Sequence, residues 1–300
     1  MAVYKKTYRG YDGALTPAWS RFLVIPRFAF AQMRASRFLT MFFLGTMIFP
    51  LLAAVFIYVH HSLAAMKLLE INPSRIVAID ASFFMTFLGT QSILAYLLTA
   101  FIGPGLVSPD LANNALPLYL SRPLTRAEYV AGKLSVLFVL LSAMTWIPGL
   151  LLFALQAYLE GNGWMGNNLR IAGGLFVGAW IWILLQSLLA LAVSAWVKWK
   201  PVAGALMFGV FFVASGFGAA FNMVLRTQWG SLINISHLIG TVWTWLFDQP
   251  MRRGAGAAFF RVARGDQIPP WCIWASLAAL CVFCLWMLAR KVRGVEVARS

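Results

Sequence analysis

Three groups of residues in this 300-residue chain have the types that chemistry uses, and each lacks the partners its chemistry needs. Cys281-Val-Phe-Cys284 has the spacing of a thiol redox motif, but it sits inside a long uncharged apolar run. There a cysteine behaves as a small hydrophobe. Cys272 is the only other cysteine. His60 and His61 adjoin each other and His237 stands apart, none with a carboxylate or thiol at metal-ligand spacing. Residues 127–134 approach a phosphate-binding loop, Gly-x-x-x-x-Gly-Lys-Ser/Thr. Ala127 replaces its first glycine, however, and Leu134 replaces the hydroxyl that would bind magnesium. No Ser/His/Asp set can be assembled from local sequence. The expectation is a chain that is not an enzyme, with no catalytic residue, metal or cofactor of its own.

The setting of these residues is apolar. Hydrophobic types make up 61% and charged types 11% of the chain, and its mean hydropathy is +0.78. Soluble domains carry about 25% charge, so a soluble enzyme, a disordered tail and a fibrous repeat are excluded. The net charge of +15 in such a chain marks cytoplasmic loops of a membrane protein, not nucleic-acid binding. Uncharged runs occupy 38–66, 81–109, 134–159, 171–197, 201–225, 227–247 and 267–289. About 20 apolar residues span a bilayer. Six runs meet that, and 227–247 is interrupted by polar residues and reads as interfacial or re-entrant, because backbone at membrane depth must be satisfied internally.

Charge asymmetry tests that count. With six spans, one side holds 16 cations and four acids, and the other eight cations and five acids. The positive-inside rule then puts both termini in the cytoplasm, and a bacterial-type plasma or inner membrane is the expected location. A seventh span would carry the basic tail 290–299 outside. The first span follows 37 residues without a cleavage site and reads as an anchor. The expected fold is all-α and polytopic, a single transmembrane domain over 1–300. Its spans fall near 38–60, 82–106, 127–158, 171–197, 201–224 and 270–289. A cytoplasmic tail with an interfacial helix occupies 1–37, a cytoplasmic loop 107–133, and an external, partly re-entrant connection 225–269.

Smaller signals fill in this frame. Arg27, Arg34 and Arg37 fall at helical spacing with Phe28, Phe30 and Met33 between them, the pattern of a basic amphipathic helix in the headgroup layer. Pro50 and Pro148-Gly149 are expected to kink their spans. Gly174-x-x-x-Gly178 offers a close-packing face, within the subunit or toward a second one. The spans contain no internal Asp, Glu, Lys or Arg, which disfavours ion-driven carriage. Gln91 and Gln186, beside Ser92 and Ser187, are their notable polar residues. Interhelical hydrogen bonding is the favoured role, with contact to a transported substrate the alternative.

The most informative stretch is 103–133. Thr125-Arg-Ala-Glu128 before an apolar run fits a capping box, with Leu124 and Tyr129 at staple positions. Pro123 pushes Arg122 away from helical angles. Ser108-Pro109-Asp110 is expected to open a short helix reaching Leu120, interrupted at Pro117. Gly-Pro-Gly-Leu-Val-Ser-Pro-Asp110 followed by Leu-Tyr119-Leu-Ser121-Arg122-Pro123-Leu-Thr125-Arg126-Ala-Glu128-Tyr129-Val-Ala-Gly-Lys133 resembles the segment joining spans two and three in type-2 ABC transporter permeases. Six spans, an N-terminal interfacial helix and an external element before the last span are similar too, and the match is sharpest over about 30 residues. The long connection before the last span, with its five arginines, departs from the family pattern.

The resemblance implies a membrane subunit, usually of an exporter, that pairs with a second permease subunit as homo- or heterodimer. ATP and magnesium would bind a separate cytoplasmic ABC ATPase. Residues Asp110, Tyr119, Ser121, Arg122, Pro123, Thr125, Arg126, Glu128, Tyr129 and Lys133 would form the surface that meets that ATPase. A membrane scaffold without a substrate path and, less favoured, a secondary transporter are the other readings of the same topology.

Overall fold

The computed structural model describes residues 20, 23–62, 78–113, 115, 125–161, 163–252, 254–260 and 268–291. All regular structure among them is helical. Six helices are long and apolar enough to cross a membrane, the pattern of a multi-pass membrane protein. They cover Arg37–His61, Ala81–Asp110, Arg126–Glu160, Leu169–Trp196, Lys200–Leu225 and Pro270–Lys291.

In chain order the elements are α1 (Val24–Ala35), α2 (Arg37–Thr46), α3 (Ile48–His61), α4 (Ala81–Ile102) and α5 (Pro104–Ala112). Next come α6 (Arg126–Met144), α7 (Trp146–Glu160), α8 (Trp164–Asn167), α9 (Leu169–Trp196) and α10 (Lys200–Leu225). A 3₁₀ turn at Trp229–Leu232 precedes α11 (Ile235–Phe247), α12 (Ala255–Phe259) and α13 (Pro270–Lys291).

Two spans break where proline dictates. Pro50 has no N–H to give the carbonyl of Thr46, four residues back, and the first span divides at Met47 into α2 and α3. The Gln91 amide of α4 donates to that Thr46 carbonyl at 3.1 Å. Gln91 therefore repairs the break that Pro50 makes, a specific form of the interhelical bond expected of it. The third span divides at Thr145, ahead of Pro148.

At the centre stands α9, which is apolar all round and mostly buried. It packs against α4, α5, α6, α7, α10, α11 and α13. Its glycines receive aromatic rings from the same chain. The Phe247 ring lies 3.2 Å from where a side chain would begin on Gly174, and Trp243 lies 3.0 Å from the same point on Gly178. The Trp243 indole also donates to the Gly178 carbonyl at 3.0 Å. In this subunit the Gly-x-x-x-Gly face is thus filled from within.

The described residues of the connection expected to be external and partly re-entrant pack against α4, α9 and α10. Arg226 takes a left-handed conformation (φ 50°) and the chain doubles back along α10. Asn222 accepts from the Gly230 N–H at 2.7 Å and donates to Ser231 at 3.1 Å. Asn234 donates to Ser215, about 15 Å along the helix from Leu225 at 1.5 Å per residue. From there α11 runs antiparallel to α9 until Arg170 caps its last turn. That guanidinium donates to the Trp245 and Leu246 carbonyls and pairs with Asp248 at 3.0 Å.

The chain then follows α4 in turn. Arg252 pairs with Asp80, the Ser82 hydroxyl donates to the Pro250 carbonyl, and the Arg252 N–H donates to Thr86. Gly256 meets Gly89 backbone to backbone. Phe259 and Phe260 end in a cluster with Tyr96, Trp182, Phe211 and Trp243, at ring separations of 4.6–5.8 Å. In the sequence this segment is too apolar and Gly-rich for an independent domain. Its aromatic residues and glycines are used for close packing instead.

Candidate functional site

The two ends of the 107–133 connection are tied together by one carboxylate. Thr125 caps α6 by accepting from the Glu128 N–H at 3.2 Å, and Glu128 accepts from the Thr125 N–H at 2.6 Å. The reciprocal pair fixes where α6 begins. One turn on, Tyr129 and Lys133 stand four residues apart and so share a face. Both reach Asp110 near the end of α5, the tyrosine hydroxyl donating to Oδ2 at 2.7 Å and the lysine ammonium pairing with the same oxygen at 2.8 Å. The ammonium also lies 5.5 Å from the Tyr129 ring centre. Tyr129 is buried, and the side chains of Lys133 and Asp110 are only 11% and 15% exposed. A pair this sheltered is stronger than a surface ion pair and costly to break on one side.

Behind the latch, α5 is fastened to the central helix. Ser194 of α9 accepts from the Val107 and Ser108 N–H groups at 3.2 and 2.9 Å and donates to the Pro104 carbonyl at 3.1 Å. The Ser108 hydroxyl donates to the Ser194 carbonyl at 2.9 Å. On the other side, α1 packs against α6. Asp110, Ser108 and Ser194 thus link the start of α6 to the central helix α9.

The short helix differs in position from its sequence expectation. It starts at Pro104, not Ser108, and runs past Pro109 to Ala112. Gly103 donates to the Thr99 carbonyl, so α4 passes almost directly into a helix opened by proline. Of the ten residues assigned to the ATPase-facing surface, Asp110, Thr125, Glu128, Tyr129 and Lys133 come together, and Arg126 is exposed beside them. Tyr119, Ser121, Arg122 and Pro123 lie outside the described residues. Arg27 and Arg34 of α1 and Arg37 at the start of α2 are exposed, while Phe30 and Met33 of α1 pack inward.

The other candidates separate cleanly. Gln91 is occupied by the Thr46 carbonyl. Gln186 is fully buried, one turn from Trp182 on α9, and neither atom of its amide has a hydrogen-bond partner among the described residues. All three cysteines are free. Local spacing gave the histidines no carboxylate, yet the fold brings Glu160 to His61 at 2.8 Å, with Gln156 donating to the same oxygen at 3.1 Å. The 99-residue separation left no signal for that pair. Among the described residues no group of three or more His, Cys, Asp or Glu could hold a metal ion.

No family model and no curated protein matches this chain.

Proposed function

We propose that the chain is the membrane subunit of an ATP-driven transporter, resembling the type-2 ABC permeases, and that a separate ATPase supplies its energy. The observation that carries this reading is the latch. A connection whose residues resemble that family's ATPase-facing segment is tied at both ends by Asp110, Tyr129 and Lys133, and wired into the central helix at Ser194. Coupling needs an element whose arrangement both sites can bias. Ends left apart would absorb the motion of a partner, whereas ends tied through a sheltered ion pair transmit it.

In this reading the basic side of the chain, with both termini, is cytoplasmic, and α1 lies in the headgroup layer beside α6. The 226–260 segment enters the membrane from the opposite side, its polar backbone satisfied by α4, α9 and α10 as membrane depth requires. A second permease subunit completes the transporter, and export is the expected direction.

The test uses the tagged, full-length chain purified from its own membranes. Wild type is expected to bring down a vanadate-sensitive ATPase, and Arg122→Glu/Arg126→Glu is expected to lose it while inserting at normal levels. Undiminished ATPase recovery with the double variant would remove the coupling assignment.

A further inference from the structure

Two clefts on the bundle each contain one cation, and the two cations are treated differently. In one cleft, of about 330 Å³, Arg252 stands over an apolar floor formed by α3 and α4 and is neutralised by Asp80 at 2.9 Å. The other, about 160 Å³, lies between α1, α2, the α4–α5 junction and the start of α10. Its cation is Lys200, which has no acidic partner among the described residues.

Lys200 is exposed at the mouth of this cleft and lies across the Gly105 backbone. A side chain on Gly105 would begin 3.4 Å from the Lys200 ammonium, a close contact to which the flexible lysine would have to adjust. Gln32 and Ser36 add hydrogen-bonding groups on the α1–α2 side. Trp199 gives α10 no side-chain cap, so the positive end of that helix dipole points the same way.

The remaining walls are apolar and continue out of the cleft. Leu39, Phe101 and Leu106 line it. Phe101 meets Phe38 edge-on at 5.5 Å, and the two rings are 44% and 59% exposed on the outside of the bundle. A site that offers an uncompensated ammonium, neutral hydrogen-bonding groups and then an exposed aromatic track fits a ligand with an anionic head and a long hydrocarbon chain.

We propose that this cleft binds one anionic phospholipid, with its phosphate at Lys200 and an acyl chain along Phe101 and Phe38. The proposal rests on the membrane-spanning reading of the six helices and not on the ATPase partner. Such a lipid would bridge α1, α2, α5 and α10, the elements around the tied connection.

The test is native mass spectrometry of the purified full-length chain with phosphatidylglycerol or phosphatidylcholine of matched chains. Phosphatidylglycerol is expected to be retained preferentially. Lys200→Gln is expected to lower its retention about five-fold, as one lysine near an anionic headgroup warrants. Lys200→Arg should retain it, and Arg252→Gln, removing the neutralised cation of the other cleft, should change nothing. Benzoylphenylalanine in place of Phe101 should cross-link phosphatidylglycerol in membranes, and should stop doing so when Lys200→Gln is added. Equal retention of the two lipids, wild-type retention by Lys200→Gln, or displacement by equimolar inorganic phosphate would each overturn the proposal. Because binding is read on the isolated chain, failure here leaves ATPase recovery untouched, and loss of ATPase recovery leaves this result standing.

Discussion

The connection between α5 and α6 and the connection between α10 and α13 solve opposite problems. The first joins its ends with a few polar contacts from Asp110 to Tyr129 and Lys133, and fixes the start of α6 with the Thr125–Glu128 cap. The second spreads its attachment over backbone contacts at glycine and a cluster of rings reaching Tyr96 and Trp182. A few directional bonds can be remade in a second geometry, which suits an element that moves. Many short-range packing contacts cannot be exchanged piecemeal, because close-packed interiors are not continuously deformable. One connection is fastened by a few directional bonds, the other by distributed packing.

The largest effect is expected where packing has no slack. The backbones of Gly218 and Gly230 approach too closely for any side chain, and a Cβ on Gly230 would also meet Asn222 at 2.6 Å. Gly230→Val should cost about 3 kcal/mol, read as a lowered unfolding temperature of the detergent-purified chain. An unchanged temperature would mean that the 226–260 segment is held more loosely than its contacts require.

The latch should behave differently. Asp110→Asn keeps an acceptor for Tyr129 but strands the sheltered Lys133 ammonium, at a cost of about 2 kcal/mol. Adding Lys133→Met should recover most of that stability, since the stranded charge goes with it. Substrate-stimulated ATPase activity in the reconstituted complex should stay low in both variants. Recovery of stimulation together with stability would make the latch a structural pair only.

How much of this was legible in the sequence follows the same divide. Helix caps and prolines act through neighbouring residues, so Thr125-x-x-Glu128 and Pro50 could be read directly, as could the apolar helices from their length. Asp110 was singled out by family resemblance, but nothing local tied it to Lys133, 23 residues on. The packing of the described residues of 226–260 left only a partial trace, the polar interruption of the apolar run 227–247. Arg170 and Asp80 neutralise or cap that segment from far away in the chain. Long-range pairing, not local chemistry, is what a single sequence hides.

Gln91 mixes the two cases, a legible break with a partner 45 residues distant. Gln91→Leu should cost about 1.5 kcal/mol by stranding the Thr46 carbonyl. Pro50→Ala supplies an N–H that can close the helix on that carbonyl, so it should suppress most of the loss. Equal cost of Gln91→Leu with and without Pro50→Ala, measured by thermal unfolding, would show that the amide does something other than mend the break.

Thr125→Ala carries the smallest expected effect and bears most directly on what the tied connection does. Removing an N-cap hydroxyl costs about 1 kcal/mol, and here it frees only the Glu128 N–H at an exposed helix start. The rest of the bundle, anchored at Ser194 and in the aromatic cluster, should keep its unfolding temperature within a degree or two. The loss should instead appear as faster amide hydrogen exchange confined to the first turn of α6. Exchange that spread into α5 would mean that the cap and the Asp110 pair open as one unit. Ends that open together form a single switch, whereas ends that open separately leave the cap as a local fastening, independent of the Asp110 tie between the helices.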